Sequence, residues 1–454
     1  MNMTLIQSRI LDSHARNVPR YTSYPTAPHF HDGVDEAVYR RWLAELPDDA
    51  SLSLYVHVPY CDRLCWFCGC HTKIVARYQP ISDYLEVLQR EIATVARLVT
   101  GEQRVRHIHW GGGTPVILRP EDISGLAGRL RDGFEVAPEA EFAVEIDPRE
   151  FDAPRAEALA RTGVNRASLG VQDLNPEIQE AINRVQPLAV TAGVVEMLRG
   201  AGIERLNLDL MYGLPHQTVE RVLASVDGIL ELAPSRVALF GYAHVPWMKR
   251  HQRLIDDEAL PGPRARLQQF LAASERLTAA GYEAIGLDHF ARADDTLAVA
   301  ARQGRMHRNF QGYTEDDATA LIGFGASAIG ELPQGYAQNA APIHDYKRRI
   351  GAGRLATVRG IAVTPEDRIR RAVIERLMCD LAVDLADICD RHDRPVESFD
   401  DEIELMRAFA RDGLVSLEGR AIRVHEEARP LLRSICAAFD HRLREGPGRH
   451  SSAV

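Results

Sequence analysis

The chain of 454 residues is too long for one hydrophobic core, because single cores rarely grow beyond about 250–300 residues. Hydrophobic residues make up 45% of the sequence, enough to bury a sizeable interior. Its 54 Lys and Arg residues face 64 Asp and Glu residues, for a formal net charge of −10 at pH 7. Affinity for nucleic acid comes largely from neutralising phosphates, so we expect no nucleic-acid partner.

The seven cysteines are not arranged as a disulfide framework. A chain of this length without a signal peptide or a long apolar span is typical of a reducing compartment. We therefore expect a cytoplasmic protein that works without a membrane, and we expect it to be a monomer.

Short apolar runs alternate with amphipathic segments along the first half of the chain. The strand-like runs are 52–58, 105–110, 141–146, 166–171, 205–210 and 236–242, and the helix-like segments between them are 83–99, 123–134, 153–161, 187–201 and 219–232. This alternation predicts a parallel sheet with right-handed crossovers, and at this length a barrel rather than a Rossmann sheet. The predicted class is α/β, a partial (β/α)6 TIM-like barrel, open or closed, with ligand-binding groups at the carboxyl ends of its strands.

The pattern changes after about residue 360. Thr364 followed by Pro365 predicts a helix start, helical segments follow at 366–379, 382–389, 401–411 and 430–443, and a hairpin is expected at 414–424. This small domain resembles a winged helix, but its mixed charge does not favour DNA binding. The predicted divisions are an N-terminal arm at 1–48, a barrel domain with an extension at 49–360, a mostly helical domain at 361–444 and a disordered tail at 445–454.

Four cysteines lie within ten residues, directly after the first predicted strand. Cys61, Cys65 and Cys68 have C-x3-C-x2-C spacing, and Cys70 follows. Thiolates are the ligands of iron–sulfur clusters, and three of them can hold three irons of a [4Fe–4S] cube while the fourth iron stays open. A structural zinc site is the alternative, although zinc sites usually pair two separated C-x2-C knuckles. The other three cysteines, Cys379, Cys389 and Cys436, are scattered and are expected to be buried small hydrophobes.

Polar and glycine-rich patches follow several of the predicted strands. The glycine run Gly111–Gly113 follows the second strand, where the lack of Cβ atoms would let the backbone approach a ligand. Other polar groups at strand ends are Glu145 with Asp147, Gln172, Asp209 and Tyr242 to His244. Each could instead be a strand-end cap or a solvated loop, but their recurrence at one edge favours a binding site.

Seven segments together carry a resemblance to a known family. They are the cysteine set, 19–27 (PRYTSYPTA), 110–115 (WGGGTP), 145–149 (EIDPR), 170–173 (GVQD), 212–215 (YGLP) and 307–313 (HRNFQGY). The cysteine spacing resembles the radical S-adenosylmethionine (SAM) superfamily, and the full set resembles its oxygen-independent coproporphyrinogen III oxidase family over nearly the whole chain. A haem chaperone of the same superfamily is the main alternative; it is not expected to share the arm 20–27, Cys70 or the segment 307–313. One departure is the pair His71-Thr72, where a single residue is expected before the lysine.

The resemblance implies a [4Fe–4S] cluster on Cys61, Cys65 and Cys68, without Cys70, and two SAM molecules per chain. The residues implied to contact the SAM on the cluster are Tyr55, Gly112, Glu145 and Ile329. Those implied for the second SAM are Phe67, Gly113, Thr114, Gln172, Arg184, Asp209 and Ala243. Tyr55 could alternatively be a core aromatic of the first strand.

The implied reaction is the oxidative decarboxylation of two propionate side chains of coproporphyrinogen III to vinyl groups, which gives protoporphyrinogen IX. SAM would carry the radical, so no residue is assigned as a catalytic base. The implied partners are a low-potential electron donor and an electron acceptor. Arg20 and Arg308 are candidates for binding the substrate carboxylates, although either could form a surface salt bridge instead. A radical SAM enzyme acting on RNA is a further alternative.

Overall fold

The computed structural model describes His14 and residues 17–99 and 101–444. The predicted tail at 445–454 and most of the first sixteen residues lie outside this part of the chain. Within it, no helix is both long and apolar enough to cross a membrane.

Nineteen strands are formed by the described residues. In chain order they are β1 Ser51–Val58, β2 Tyr60–Cys61, β3 Lys73–Ile74, β4 Arg104–Gly112, β5 Glu135–Ile146, β6 Arg166–Gln172, β7 Arg205–Tyr212, β8 Arg236–Gly241, β9 Tyr282–Ile285, β10 His289–Arg292, β11 His307–Asn309, β12 Gly312–Thr314, β13 Ala320–Phe324, β14 Ile329–Leu332, β15 Gly335–Asn339, β16 Thr357–Ala362, β17 Ala382–Asp384, β18 Val415–Glu418 and β19 Ala421–Val424.

The helices follow the predicted alternation. The α-helices are Glu36–Ala44, Gln79–Ala96, Pro120–Gly133, Ala153–Arg161, Pro176–Ala181, Leu188–Gly200, Val219–Leu230, Pro263–Ala279, Thr296–Arg302, Ile343–Gly351, Pro365–Asp380, Leu385–Arg391, Asp400–Arg411 and Leu432–Cys436. Short 3-10 helices span Ala27–His29, Pro115–Ile117, Pro148–Glu150, Arg250–Leu254, Asp257–Ala259, Val396–Phe399, Glu426–Leu431, Ala437–Phe439 and His441–Arg444.

Twelve strands form one open sheet in the order β16-β15-β14-β13-β1-β4-β5-β6-β7-β8-β10-β9. The six predicted strands are β1 and β4 to β8, and they lie side by side in parallel, as predicted. The sequence pattern does not predict β13, which adds a seventh parallel strand beside β1. It also does not predict the antiparallel strands at both edges, β14 to β16 and β9 to β10. The α/β barrel-like class is confirmed, with a larger sheet than predicted.

Burial of apolar faces explains how the helices cover this sheet. In the helix Gln79–Ala96, Ile81, Leu85, Leu88 and Ile92 are buried and recur every three to four residues, which forms one apolar stripe. β1 is buried on both faces apart from Ser51 and Tyr55, as expected for a central parallel strand. The carboxyl ends of the strands therefore meet at one edge of a well-covered sheet.

A second core forms the C-terminal domain. The helix Pro365–Asp380 starts at the predicted position, where Thr364 and Asp367 form a reciprocal capping box. The hairpin of β18 and β19 is confirmed, and β17 adds a third strand. Cys379, Cys389 and Cys436 are at most 3% exposed, as predicted.

Two predicted helices of this domain were partly wrong. The segment 382–389 begins as strand β17, because Leu381 at φ 52° reverses the chain and lets Ala382–Asp384 pair with β19. The segment 430–443 is broken into short α and 3-10 turns, since Pro430 cannot donate a helical hydrogen bond.

The arm before the barrel is anchored on the C-terminal domain. Tyr21 and Tyr24 are at most 4% exposed and belong to the second core. The Tyr21 hydroxyl donates to Asp440 at 3.1 Å, and the Tyr24 hydroxyl lies 2.8 Å from His441 Nδ1. The arm thus belongs to the packing of the C-terminal domain.

Candidate active site

The cysteine segment forms a loop between β2 and β3, beyond the carboxyl end of β1. Three polar side chains hold its backbone: Asn183 donates to the carbonyl of Leu64 at 2.7 Å, Gln252 donates to that of Phe67 at 2.9 Å, and Lys249 donates to that of Cys70 at 2.8 Å. The loop is therefore fixed by the segments that follow β6 and β8.

A cavity of about 170 Å³ contains most of the predicted site and is called the cysteine cavity below. The three predicted ligands, Cys61, Cys65 and Cys68, line it together with Cys70. The other predicted residues in its lining are Phe67, Gly112, Gly113, Glu145, Gln172, Arg184 and Asp209. The cavity thus brings four thiols together with three carboxylates and three arginines, near the strand ends where a ligand was expected.

Four predicted residues lie elsewhere. Tyr55 lines a neighbouring cavity inside the barrel, where its hydroxyl lies 3.0 Å from His57 Nδ1. Thr114 lines an outer cavity and accepts a hydrogen bond from the backbone N–H of Asp147. Ala243 lines a cavity on the other side of Cys70. Ile329 begins β14 and packs with a small apolar group of Phe30, Tyr336 and Ile361.

The glycine run is required by protein neighbours. A Cβ on Gly113 would lie 2.3 Å from the carbonyl oxygen of Tyr60, and a Cβ on Gly112 would lie 2.8 Å from the His57 ring. Gly112 also has φ +118°, which side-chain-bearing residues rarely adopt. The contacts with Tyr60 and His57 require these glycines without any ligand, and a ligand contact at Gly112 and Gly113 stays a prediction.

Glu145 is held by two donors at the end of β5. His109 Nε2 lies 3.2 Å from one carboxylate oxygen, and the backbone N–H of Gly112 donates to the other at 3.1 Å. Burial alone would raise the pKa of Glu145, but these hydrogen bonds and the charge of His109 leave it below its ordinary value. His109 is not among the predicted site residues, although alternation along β4 places His107 and His109 on one face.

Asp209 is another carboxylate of the cysteine cavity. Burial, followed by the negative charge of Glu145, raises the pKa of Asp209 to about 7. It accepts hydrogen bonds from Ser168 Oγ at 3.2 Å and Asn207 Nδ2 at 2.7 Å. A cationic ligand beside these two carboxylates would favour their charged forms.

Two arginines donate to the sulfur of Cys65. Arg149 Nη2 lies 3.3 Å from Cys65 Sγ, and Arg184 Nη1 lies 3.4 Å from it. Asp147 accepts from both, at 2.6 Å from Arg149 Nη2 and 3.1 Å from Arg184 Nη1. Burial would raise the pKa of Asp147, but Arg184 and Arg149 lower it to about 2.

A cavity of about 320 Å³ adjoins the cysteine cavity and is called the arginine cavity below. Four guanidinium groups line it, those of the predicted Arg20 and Arg308 and those of Arg266 and Arg433, together with the carboxylate of Asp288. Cys70 lines both cavities. The structure therefore brings Arg20 and Arg308 together and adds Arg266 and Arg433, which the sequence does not predict.

The arginine cavity has unused hydrogen-bond donors. Arg308 Nε and Nη1 and Arg266 Nε are buried without a hydrogen-bond partner among the described residues. Arg308 lies over the ring of Tyr313, with its Cζ 4.3 Å from the ring centroid. Burial and the charges of Arg20 and Arg308 lower the pKa of Arg433 to about 10. Buried donors of like charge fit an anionic ligand.

The described residues contain no group of three His, Cys, Asp or Glu side chains gathered closely enough to hold one metal ion. A [4Fe–4S] cube binds each of its cysteines to a different iron, so its ligands need not converge on one point. The three predicted thiols line one small cavity together with arginines and carboxylates, which fits a cluster with an open iron.

Two family models match the chain. The Radical SAM superfamily model matches residues 55–228, which include the cysteine loop and β4 to β7. The model described as the HemN C-terminal domain matches residues 363–431, within the second core. The protein is a radical SAM enzyme, a class whose members use a [4Fe–4S] cluster and SAM.

Curated relatives match over almost the full length. Oxygen-independent coproporphyrinogen III oxidase from Bradyrhizobium diazoefficiens is 52% identical, over 96% of this chain and 97% of the relative. The Escherichia coli protein of that name is 42% identical, over 94% and 93% of the two chains. A solved structure of E. coli coproporphyrinogen III oxidase (HemN) superposes with a TM-score of 0.90 at 39% identity, covering 94% of this chain and all of that one. The chain belongs to the oxygen-independent coproporphyrinogen III oxidase family and is an oxidoreductase.

Proposed function

We propose that this protein decarboxylates two propionate side chains of coproporphyrinogen III to vinyl groups, giving protoporphyrinogen IX. The observation that carries this proposal is the arginine cavity, which adjoins the cysteine cavity at Cys70. A substrate with several propionates needs cationic partners, and its reacting side chain must come close to the radical source. The names of the curated relatives support the same substrate.

The cysteine cavity would hold the cofactors. Cys61, Cys65 and Cys68 would bind the [4Fe–4S] cluster, and Cys70 would remain free. When bound, the cluster and SAM supply a radical that abstracts a hydrogen atom from substrate. Glu145 and Asp209 would attract the cationic groups of SAM, with Glu145 serving the SAM on the cluster and Asp209 a second SAM. We propose two SAM molecules per chain.

Substrate carboxylates would bind in the arginine cavity. Arg308 and Arg266 carry buried N–H groups without a hydrogen-bond partner in the described part of the chain. A bound carboxylate could accept hydrogen bonds from these groups and so satisfy them. Arg20 lies on the arm and is exposed, which suits a residue that contacts substrate at the mouth of the cavity. Arg433 holds the arm by donating to the carbonyls of Val18 and Pro19.

A turnover assay tests the proposal. Anaerobically reconstituted protein is incubated with SAM, a strong chemical reductant and coproporphyrinogen III, and porphyrins are separated after oxidation of the product. We expect protoporphyrin together with methionine and 5′-deoxyadenosine. Stoichiometric haem binding without turnover would contradict the proposal and favour the haem chaperone.

The remaining partners follow from the chemistry. The cluster needs a low-potential electron donor, and each decarboxylation leaves one electron for an acceptor. We propose that the protein works as a cytoplasmic monomer, which its net charge of −10 and the lack of a disulfide among the described residues support.

A further inference from the structure

The sulfur of Cys65 differs from the other predicted cluster ligands in its hydrogen bonds. Arg149 and Arg184 both donate to it, at 3.3 Å and 3.4 Å, and Cys65 is 8% exposed. The side chains of the two arginines are 8% and 6% exposed. Their charges therefore act on the sulfur through protein rather than through water, where they would be strongly screened.

Asp147 opposes these two charges. Its carboxylate accepts from Arg149 Nε at 2.9 Å and Nη2 at 2.6 Å, and from Arg184 Nη1 at 3.1 Å. Asp147 and Arg149 follow β5, where the short turn Pro148–Glu150 brings Arg149 back over the cysteine loop. Arg184 is also tied to β6, because its Nη2 donates to the carbonyl of Gly170 at 2.7 Å.

Arg149 also borders two cavities. It lines the cysteine cavity and an outer cavity of about 640 Å³, and Asp147 lines both as well. Its guanidinium contacts the sulfur of Cys65. Arg149 can therefore act on the cluster although it is not among the residues proposed to bind SAM or substrate.

We propose that Arg149 and Asp147 set the reduction potential of the cluster, with Arg149 raising it through the sulfur of Cys65 and Asp147 lowering it. This inference rests on the cluster that the proposed function requires. Reduction adds one electron from the external donor and makes the cluster more negative by one charge. A guanidinium beside a ligand sulfur stabilises that reduced form, and hydrogen bonds to the sulfurs are a known determinant of such potentials. Arg149 and Asp147 are positioning residues in this scheme.

The test is an EPR-monitored redox titration of the reconstituted full-length protein without SAM. We expect Arg149→Gln to lower the ratio of reduced to oxidised cluster at a fixed potential about tenfold, a shift of about 59 mV to lower potential for a one-electron couple. Asp147→Asn should shift the potential in the opposite direction. Arg149→Lys keeps the charge but loses the planar fork, so its shift should be smaller than that of Arg149→Gln.

Arg63→Gln is the matched control. Arg63 lines the cysteine cavity and the outer cavity and pairs with Glu150 at 3.1 Å, but its side chain is 63% exposed. Its removal should leave the potential nearly unchanged. Equal shifts in Arg63→Gln and Arg149→Gln, or shifts of the same sign in Arg149→Gln and Asp147→Asn, would overturn the inference.

Iron and sulfide are measured on every variant before the titration. If Arg149→Gln loses the cluster, the other two variants carry the test. The reduction potential should then fall in Arg149→Lys and rise in Asp147→Asn. An unchanged reduction potential in cluster-loaded variants would refute this inference and leave the proposed function intact. Wild-type protein that binds no cluster would refute the proposed function.

Discussion

The cysteine cavity and the arginine cavity meet at Cys70 but are built in opposite ways. The cysteine cavity takes its ligands from one ten-residue loop and from the ends of neighbouring parallel strands. The arginine cavity takes its four arginines from the arm, a barrel helix, the hairpin of β11 and β12, and the C-terminal domain. The four cysteines line the cysteine cavity, and only Cys70 of them also lines the arginine cavity, where four guanidinium groups face one carboxylate. This contrast separates the radical source from the recognition of substrate carboxylates.

The largest expected effect isolates the cysteine cavity. Cys61→Ser, Cys65→Ser or Cys68→Ser should each remove most of the iron, because the cluster then loses one of the three thiolates that hold it. Anaerobic iron and sulfide analysis should give about four of each in wild-type protein. Cys70→Ser is the matched control and should keep the cluster. Loss of iron in that variant would show that Cys70 is a ligand.

The contrast also explains what could be predicted from the sequence. The cysteine spacing and the strand-end carboxylates are local signals, so Cys61, Glu145 and Asp209 could be placed in one cavity without a structure. Arg266 and Arg433 carry no local signal, because their position depends on how the helix Pro263–Ala279 and the C-terminal domain pack against the barrel. Strand β13 was missed for the same reason, since its parallel pairing with β1 joins residues far apart in the chain.

A second prediction isolates the arginine cavity. Arg308→Gln and Arg266→Gln should each lower kcat/KM for coproporphyrinogen III about 10- to 150-fold, because a hydrogen bond to a charged group contributes about 1.5–3 kcal/mol. Steady-state kinetics with iron content checked in parallel measures this. Arg292→Gln, at an exposed arginine of β10, should behave as wild type. Wild-type kinetics in both cavity variants would contradict a carboxylate site here.

A third prediction separates two roles of the arm, which packs against the C-terminal domain and is proposed to contact substrate through Arg20. Deleting residues 1–34 removes the buried Tyr21 and Tyr24, so the C-terminal core should be destabilised by several kcal/mol, as for large aromatic truncations of about 3–5 kcal/mol each. The truncated chain should therefore melt earlier as well as lose turnover. Arg20→Ala removes an exposed side chain and should lower turnover with little change in Tm. A large loss of Tm in Arg20→Ala would assign that residue to stability instead.

The smallest expected effect concerns charge in the cysteine cavity before SAM binds. The pKa of Asp209 is raised from 3.8 to about 7, with burial as the main cause and Glu145 next. A raised carboxyl pKa favours the protonated folded state, so its contribution to stability is complete below pH 3.8 and is lost as the pH rises through 7. The side chain in Asp209→Asn stays neutral at every pH, so this variant should not show that loss of stability. Thermal melts of the cluster-free protein between pH 5 and 8 should show the Tm of wild type falling relative to that of Asp209→Asn as the pH rises. Parallel curves for the two proteins would show that Asp209 is already ionised in the empty cavity, and the carboxylate would then not need a cationic ligand to become charged.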